Sequence, residues 1–219
     1  MNQSPVHISD LIAVLPWSYL PSVDQYCAML SCSSVMLEDR ETFPKQTCRN
    51  RTIILTANGP LRLTIPVIKP YGNKTKTAEV LIDNKSNWNR IHWRAITSAY
   101  SKSPFFLYYK DEFEEQFMQP KELLTDFNLS LIKLLNKCLK LNTEISLTTA
   151  FVKDYPGHNY LDLRSCAKDN SETYFELRPY TQVFSDRFPF IPNLSIIDLL
   201  FNEGPYSIEY LKKSINPSL

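Results

Sequence analysis

The sequence predicts an α/β fold: a mixed sheet with an N-terminal strand-loop-helix-strand unit, a β-hairpin and a central helical section. Three observations carry this reading. Two short apolar runs near the N-terminus flank a capped helical stretch, the order found in α/β units. Asn58-Gly59 separates two β-rich segments, the strongest short-range hairpin signal. Residues 84–142 repeat apolar side chains at spacings of three and four. A length of 219 residues suits one domain over 1–219, with 84–142 as its mainly helical section.

The elements follow in order. Residues 11–15 form a short apolar run ending at Pro16, which suits a buried strand. An irregular loop with Trp17 and Tyr19 leads to Ser22, which can cap a helix through Leu30. Residues 34–37 make a second strand that runs into Glu38 and Asp39. Loops after such strands often face a ligand, although a helix packed on a sheet need bind nothing.

Between Arg51 and Ile68 the chain turns at Asn58-Gly59, and Pro66 marks a bulge or an edge. A polar loop over 69–76 precedes a third strand at 79–82. Ser86 can cap a helix over 87–101 with Trp88, Ile91, His92, Ala95, Ile96, Ala99 and Tyr100 on its apolar face. Pro104 suits the first position of the next helix, which carries Phe105, Tyr108, Tyr109 and Phe113. A third helix spans roughly 121–141, with Cys138 among its inward residues.

Strands are expected at 144–149 and 173–177, with a loop and a short helical turn over 151–172. Phe184, Phe188 and Phe190 then anchor an irregular approach to the last helix. There, Ser195 three residues before Asp198 reads as a capping box, and Gly204-Pro205 supplies a cap and a stop. Ile196, Ile197, Leu199, Leu200 and Phe201 are apolar nearly all round, so this helix belongs inside. Asn193, Asp198, Asn202 and Glu203 then sit where burial needs partners, which points to a polar site at the edge of the core.

Composition excludes several classes. Twenty-four basic against 23 acidic residues leave no basic excess for a nucleic-acid partner. With only four glycines there is no dinucleotide fingerprint, Walker loop or nucleophile elbow, and the cofactor is unknown. His7, His92 and His158 lie far apart and the five cysteines show no zinc spacing, so no local metal motif exists. No membrane span or leader pattern is visible, and the odd cysteine count suits a reduced, cytoplasmic protein.

Several residues carry two readings each. His92 interrupts an apolar helix face, either as a core histidine with one hydrogen bond or as a general base or acid. Trp93 points about 100° away, to a second contact. Arg49, Arg51 and Arg62 cluster at the hairpin, as an exposed basic face or as a clamp for a carboxylate or diphosphate. Asp198 and Asn202 lie at i and i+4 with Asn193 just ahead, as loop-tying groups or as orienting groups at a site. Tyr180 and Gln182 can face one side of an extended segment. Cys48 lies between Lys45 and Arg49, which would lower a thiol pKa, but no pairing with His92 supports a nucleophile.

A family resemblance rests on several stretches in order. These are Pro44-Lys45-Gln46-Thr47-Cys48-Arg49-Asn50-Arg51, Asn58-Gly59, Leu63-Thr64-Ile65-Pro66-Val67, His92-Trp93-Arg94 through Pro104-Phe105-Phe106, Gln182-Val183-Phe184 and residues 193–205. Together they resemble the WbqC-like protein family, in its short Bacteroidetes-type form. The resemblance implies a role in making or decorating a surface polysaccharide. Longer members carry a Gln-Pro-x-Tyr-x-Pro-like stretch; this chain keeps Pro16, Tyr19 and Pro21 and lacks the glutamine.

Two functions are then expected. One is transfer of an acyl or aminoacyl group to an amino sugar or sugar nucleotide. His92 and Asp198 would be catalytic, and Tyr19, Arg49, Arg51, Trp93, Gln182, Asn193 and Asn202 would bind the substrate. The other is a non-catalytic binding or scaffolding protein of the same pathway.

Overall fold

The computed structural model describes residues 8–119, 121–155, 159–167 and 173–215. His7, Gly157 and His158 lie outside the described residues. The N-terminal unit forms as its sequence predicts: β1 (Ile12–Pro16), α1 (Val23–Ser31) and β2 (Ser34–Glu38). Ser22 Oγ accepts the Gln25 N–H and Gln25 Oε1 accepts the Ser22 N–H, a reciprocal capping box. Two more N–H groups at the start of α1, which have no intrahelical partner, are taken by the far end of the chain. Val23 N–H donates to the Leu194 carbonyl and Asp24 N–H to Asn193 Oδ1, both at 3.0 Å. Ile196 N–H returns a bond to the Pro21 carbonyl at 2.8 Å.

The hairpin pairs β3 (Arg51–Thr56) with β4 (Gly59–Thr64). Its loop is Ala57-Asn58, one residue earlier than predicted, because Gly59 takes a positive φ of 97° as the first residue of β4. Glycine serves best just after the turn, where the strands resume their twist. Arg51 pairs with Thr64 and Arg62 with Ile53, so the two arginines lie diagonally on one face of neighbouring strands. A second ribbon joins β5 (Val67–Ile68) to β6 (Leu81–Ile82), with Pro66 between β4 and β5. The strand expected at 79–82 is shortened because Thr77–Glu79 winds into a 3-10 turn closed by Glu79 on the Lys76 N–H.

Three helices follow: α2 (Trp88–Tyr100), α3 (Phe106–Met118) and α4 (Leu124–Leu139). Asn87, not Ser86, stands at the N-cap of α2; the Ser86 hydroxyl donates instead to the Asp83 carbonyl. The buried stripe of α2 is also rotated from the expected one. Ile91 is 60% exposed, whereas Trp93 is buried and stacks on Phe106 and Phe117 of α3. Packing against α3 selects that face.

Strand β7 (Ile145–Leu147) falls within the expected 144–149. Strand β8 (Tyr160–Asp162) and the 3-10 turn Arg164–Ala167 occupy part of the expected loop, a strand too short to show alternation. Residues 173–177 are not a strand, because the Tyr174 and Phe175 N–H groups both donate to Asp24 Oδ1 rather than to a ladder. At the C-terminal end α5 (Ile196–Glu203) is buried as expected, but Ser195 does not cap it: its hydroxyl donates to the Leu20 carbonyl. Gly204 ends α5 at a φ of 52°, and Pro205 lies in the 3-10 turn that leads into α6 (Ser207–Ile215). The Gly-Pro stop therefore also starts a helix the sequence reading lacks.

The α/β class holds, with parallel and antiparallel strands in separate sheets. The main sheet has the order β7-β2-β1-β8, all parallel, with Ala13, Val14, Leu15, Val35 and Leu37 buried. From β1 the chain passes through α1 to β2 on one side, and β8 later joins the other side. The direction of strand addition thus reverses beside β1. Among the described residues no helix is long and apolar enough to cross a membrane.

Candidate functional site

In open α/β sheets, ligands bind beyond the carboxyl ends of the strands, where the strand order reverses. In this protein that edge is densely polar. Strand β2 ends in Glu38 with Asp39 next, Thr148 follows β7, and Asp162 ends β8 ahead of Arg164. Glu38 is 0% exposed, and Oε1 accepts the N–H groups of Arg40 (2.8 Å) and Glu41 (3.1 Å) and the Thr148 hydroxyl (3.0 Å). Thr148 Oγ1 in turn accepts the Asp39 N–H at 2.9 Å, and Asp39 Oδ1 accepts Trp17 Nε1 at 3.0 Å.

Arg164 joins three of these segments. Nε and Nη2 reach the two oxygens of Asp162 at 2.9 and 2.6 Å. Nη1 donates to Glu38 Oε2 (3.2 Å) and the Val152 carbonyl (2.8 Å), and Nη2 also donates to the Lys153 carbonyl (2.9 Å). A guanidinium has five N–H donors, and all are used. Its faces lie over the rings of Phe151 at 5.5 Å and Tyr155 at 5.0 Å. Arg164 therefore holds the segment after β7 onto the sheet.

Beside it opens a cavity of about 380 Å³ lined by Glu41, Phe151, Lys153, Asp162, Arg164 and Ser165. Its aromatic wall is half-exposed, and its charges are of both signs. Glu41 is fixed from behind by Arg49, which is 1% exposed. Arg49 Nε and Nη2 both meet Glu41 Oε1, and Nη1 donates to Thr47 Oγ1 at 2.5 Å. Asn128 Nδ2 donates to the Arg49 carbonyl at 2.8 Å. Among the described residues no group of His, Cys, Asp and Glu is placed to hold a metal ion.

The residues singled out from sequence fall into three other groups. His92 is 5% exposed, with Nδ1 2.9 Å from the Tyr19 hydroxyl and its ring edge-on to Trp88. Burial pushes the imidazole down to about 4, against a smaller pull from a hydrogen bond to the Thr64 backbone. With a pKa this low the ring is neutral at pH 7, so that Nδ1 can accept from the Tyr19 hydroxyl. Trp93 is packed between aromatic rings of α3.

Asp198 is fully buried, and among the described residues no cation stands beside its carboxylate. Oδ2 accepts the Tyr100 hydroxyl at 2.9 Å; Oδ1 accepts the Tyr180 hydroxyl at 2.7 Å and Gln182 Nε2 at 3.1 Å. Burial pushes this carboxyl up, and the Tyr180, Tyr100 and Gln182 bonds pull it back. Gln182 also bonds the Ile191 backbone through both ends of its amide, and Asn202 Nδ2 donates to the Asp198 carbonyl. Asn193, at a φ of 56°, serves the N-terminus of α1.

At the hairpin Arg51 is half-buried and Arg62 exposed. Cys48 Sγ lies 3.1 Å from Ser18 Oγ, and burial pushes its thiol up although Arg49 acts the other way. His92, Arg49 and Asn202 thus bond to three different sets of partners and none of the three lines the cavity, although Arg49 bonds Glu41, which does. Sequence reasoning did not single out Glu41, Phe151, Lys153, Asp162 or Arg164. The available signal was Glu38-Asp39 at the end of a strand; for Arg164 there was none.

Comparison with known proteins agrees with the resemblance read from sequence. The sequence model of the WbqC-like protein family matches residues 18–178 and 149–210. An uncharacterised protein of Mycobacterium tuberculosis, Rv1507c, is 24% identical over 228 residues, covering 92% of this chain and 97% of its own. No solved structure matches. With nearly its whole length matched, the chain belongs to the WbqC-like protein family.

Proposed function

We propose that the protein binds an amino sugar or sugar nucleotide of surface-polysaccharide synthesis at the carboxyl edge of its parallel sheet, as a transferase of an acyl or aminoacyl group. The observation that supports this reading best is the cavity between Glu41, Phe151, Lys153 and Asp162. A sugar ring offers an apolar face to an aromatic side chain and hydroxyls to charged groups, and Phe151 stands among such groups. Lys153 suits a phosphate as a point charge.

Calorimetry against a panel of nucleotide-linked amino sugars tests the binding. Wild-type protein should bind at least one member, and Phe151→Ala and Lys153→Ala should each weaken it roughly tenfold. No binding anywhere in the panel ends the reading. Mass spectrometry of the bound sugar after incubation with acyl donors tests the transfer.

The second reading is a non-catalytic binding or scaffolding protein of the same pathway. It is favoured by His92, a neutral, buried ring whose Nδ1 is taken by the Tyr19 hydroxyl. Ligand binding without any acylated product would select it.

A further inference from the structure

We propose that Glu41 is the group in this cavity that receives an amine of the ligand, and that the buried Arg49 positions it. The proposal rests on the sugar reading above and names the chemical feature recognised.

Glu41 is firmly placed. It lies three residues beyond the end of β2, and its backbone N–H is held together with that of Arg40 by Glu38 Oε1. Its side chain is then pinned from the interior. Arg49 is held by Thr47 and, through its carbonyl, by Asn128 of α4. An arginine usually meets a carboxylate fork to fork, one oxygen for each N–H. In this pair Nε and Nη2 converge on Oε1 alone. Oε2 is left without a donor among the described residues, on a side chain that lines the cavity.

An ionised carboxylate oxygen can only accept hydrogen bonds. A fixed and unfilled acceptor in a concave site therefore selects a ligand group that donates. A metal ion is disfavoured, since no third ligand of the right chemistry stands nearby among the described residues. Between N–H and O–H donors, the ammonium of an amino sugar gains the charge-assisted bond that a hydroxyl lacks. Lys153 also lines the cavity, and no carboxylate among the described residues pairs with it. A cavity offering one acceptor and one cation complements a ligand that carries an amine and a phosphate. Amino sugar nucleotides have both.

The test compares uridine-diphosphate-linked glucosamine, N-acetylglucosamine and glucose by calorimetry at pH 7. Wild-type protein should prefer the free amine over the other two by about tenfold or more. Glu41→Gln keeps the shape and the bond to Arg49 but loses the charge. It should bind all three with similar affinity, the preference for the free amine being lost. Arg49→Lys should keep part of the preference, since an ammonium pairs with Glu41 without the fork. Thermal melting of each variant separates a lost preference from a lost fold, which would lower all three affinities together. If wild type binds the panel with no preference for the amine, or Glu41→Gln retains the preference, this proposal is wrong and the sugar reading stands. If wild type binds none of the three, both fall.

Discussion

The Tyr19 hydroxyl lies 2.9 Å from Nδ1 of His92, with both rings buried and nearly parallel. The contact ties the loop after β1 to helix α2 through two groups that water does not reach. It explains how a histidine on an apolar helix face is accommodated without charge. Charging the ring in place would remove the acceptor at Nδ1 and strand a cation among Trp88, Tyr19 and Phe127.

Stability should therefore fall on acidification. A histidine with a folded pKa near 4 and an ordinary unfolded value near 6.5 binds more protons unfolded than folded between those limits. Its contribution is complete above about pH 6.5 and declines as pH falls towards 4, by about 3 kcal/mol in all. Urea midpoints between pH 4 and 7 check this. His92→Gln should flatten that slope while lowering stability at pH 7.

Arg164→Ala should destabilise the protein by about 3–5 kcal/mol, because Glu38 would be left as a buried carboxylate without its cation. Arg164→Lys should restore less than half of the loss, since one ammonium cannot serve Asp162, Glu38 and two carbonyls together. Limited proteolysis supplies a second readout. Cleavage around residues 151–155 should appear in Arg164→Ala before the rest of the chain is attacked.

Gly204→Ala should cost about 3 kcal/mol or more. A Cβ at this position would run into the ring of Phe105, and the φ of 52° is itself unfavourable for alanine. Phe105→Leu in the same chain should recover part of the loss by removing the ring, leaving the backbone term. Denaturant unfolding of the two single variants and the double variant gives the coupling.

Ser22→Ala and Ser195→Ala should each lower stability by about 1 kcal/mol, for different reasons. Ser22 caps α1, so Ser22→Asp should be tolerated. Ser195 donates to the Leu20 carbonyl, so Ser195→Asp should be worse than alanine: a carboxylate would face an acceptor. Melting temperatures of the four variants distinguish the two roles.

Local chemistry was readable where one stretch of sequence contains its own partners. Ser22 and Gln25 are three residues apart and make the box that their spacing implies. Asn58-Gly59 marks its hairpin to within one residue. Where the partner is distant, the same signals mislead. Ser195 and Asp198 have the spacing of a box, yet one bonds Leu20 and the other Tyr100, Tyr180 and Gln182. The candidate site suffers most from this. Arg164, Glu38 and Thr148 are more than 100 residues apart at the extremes and meet only because β7 and β8 flank β2 and β1. No periodicity in a three-residue strand announces that pairing. Arg49 stood out as an anion clamp, whereas the anion it meets is the chain's own Glu41.

The start of α1 has a consequence for how the chain is made. Its open N–H groups wait for Leu194 and Asn193, more than 160 residues downstream, and Ser22 pairs with Ser195 in an isolated bridge. A nascent chain leaving the ribosome can form β1, α1 and β2 early, but it cannot seal that helix end until residues 193–196 have emerged. During that interval the apolar surfaces meant for α5 stay uncovered and are open to chaperones or to other nascent chains. The order of synthesis thus leaves α1, made well before α5, a helix that is completed only once α5 begins to emerge.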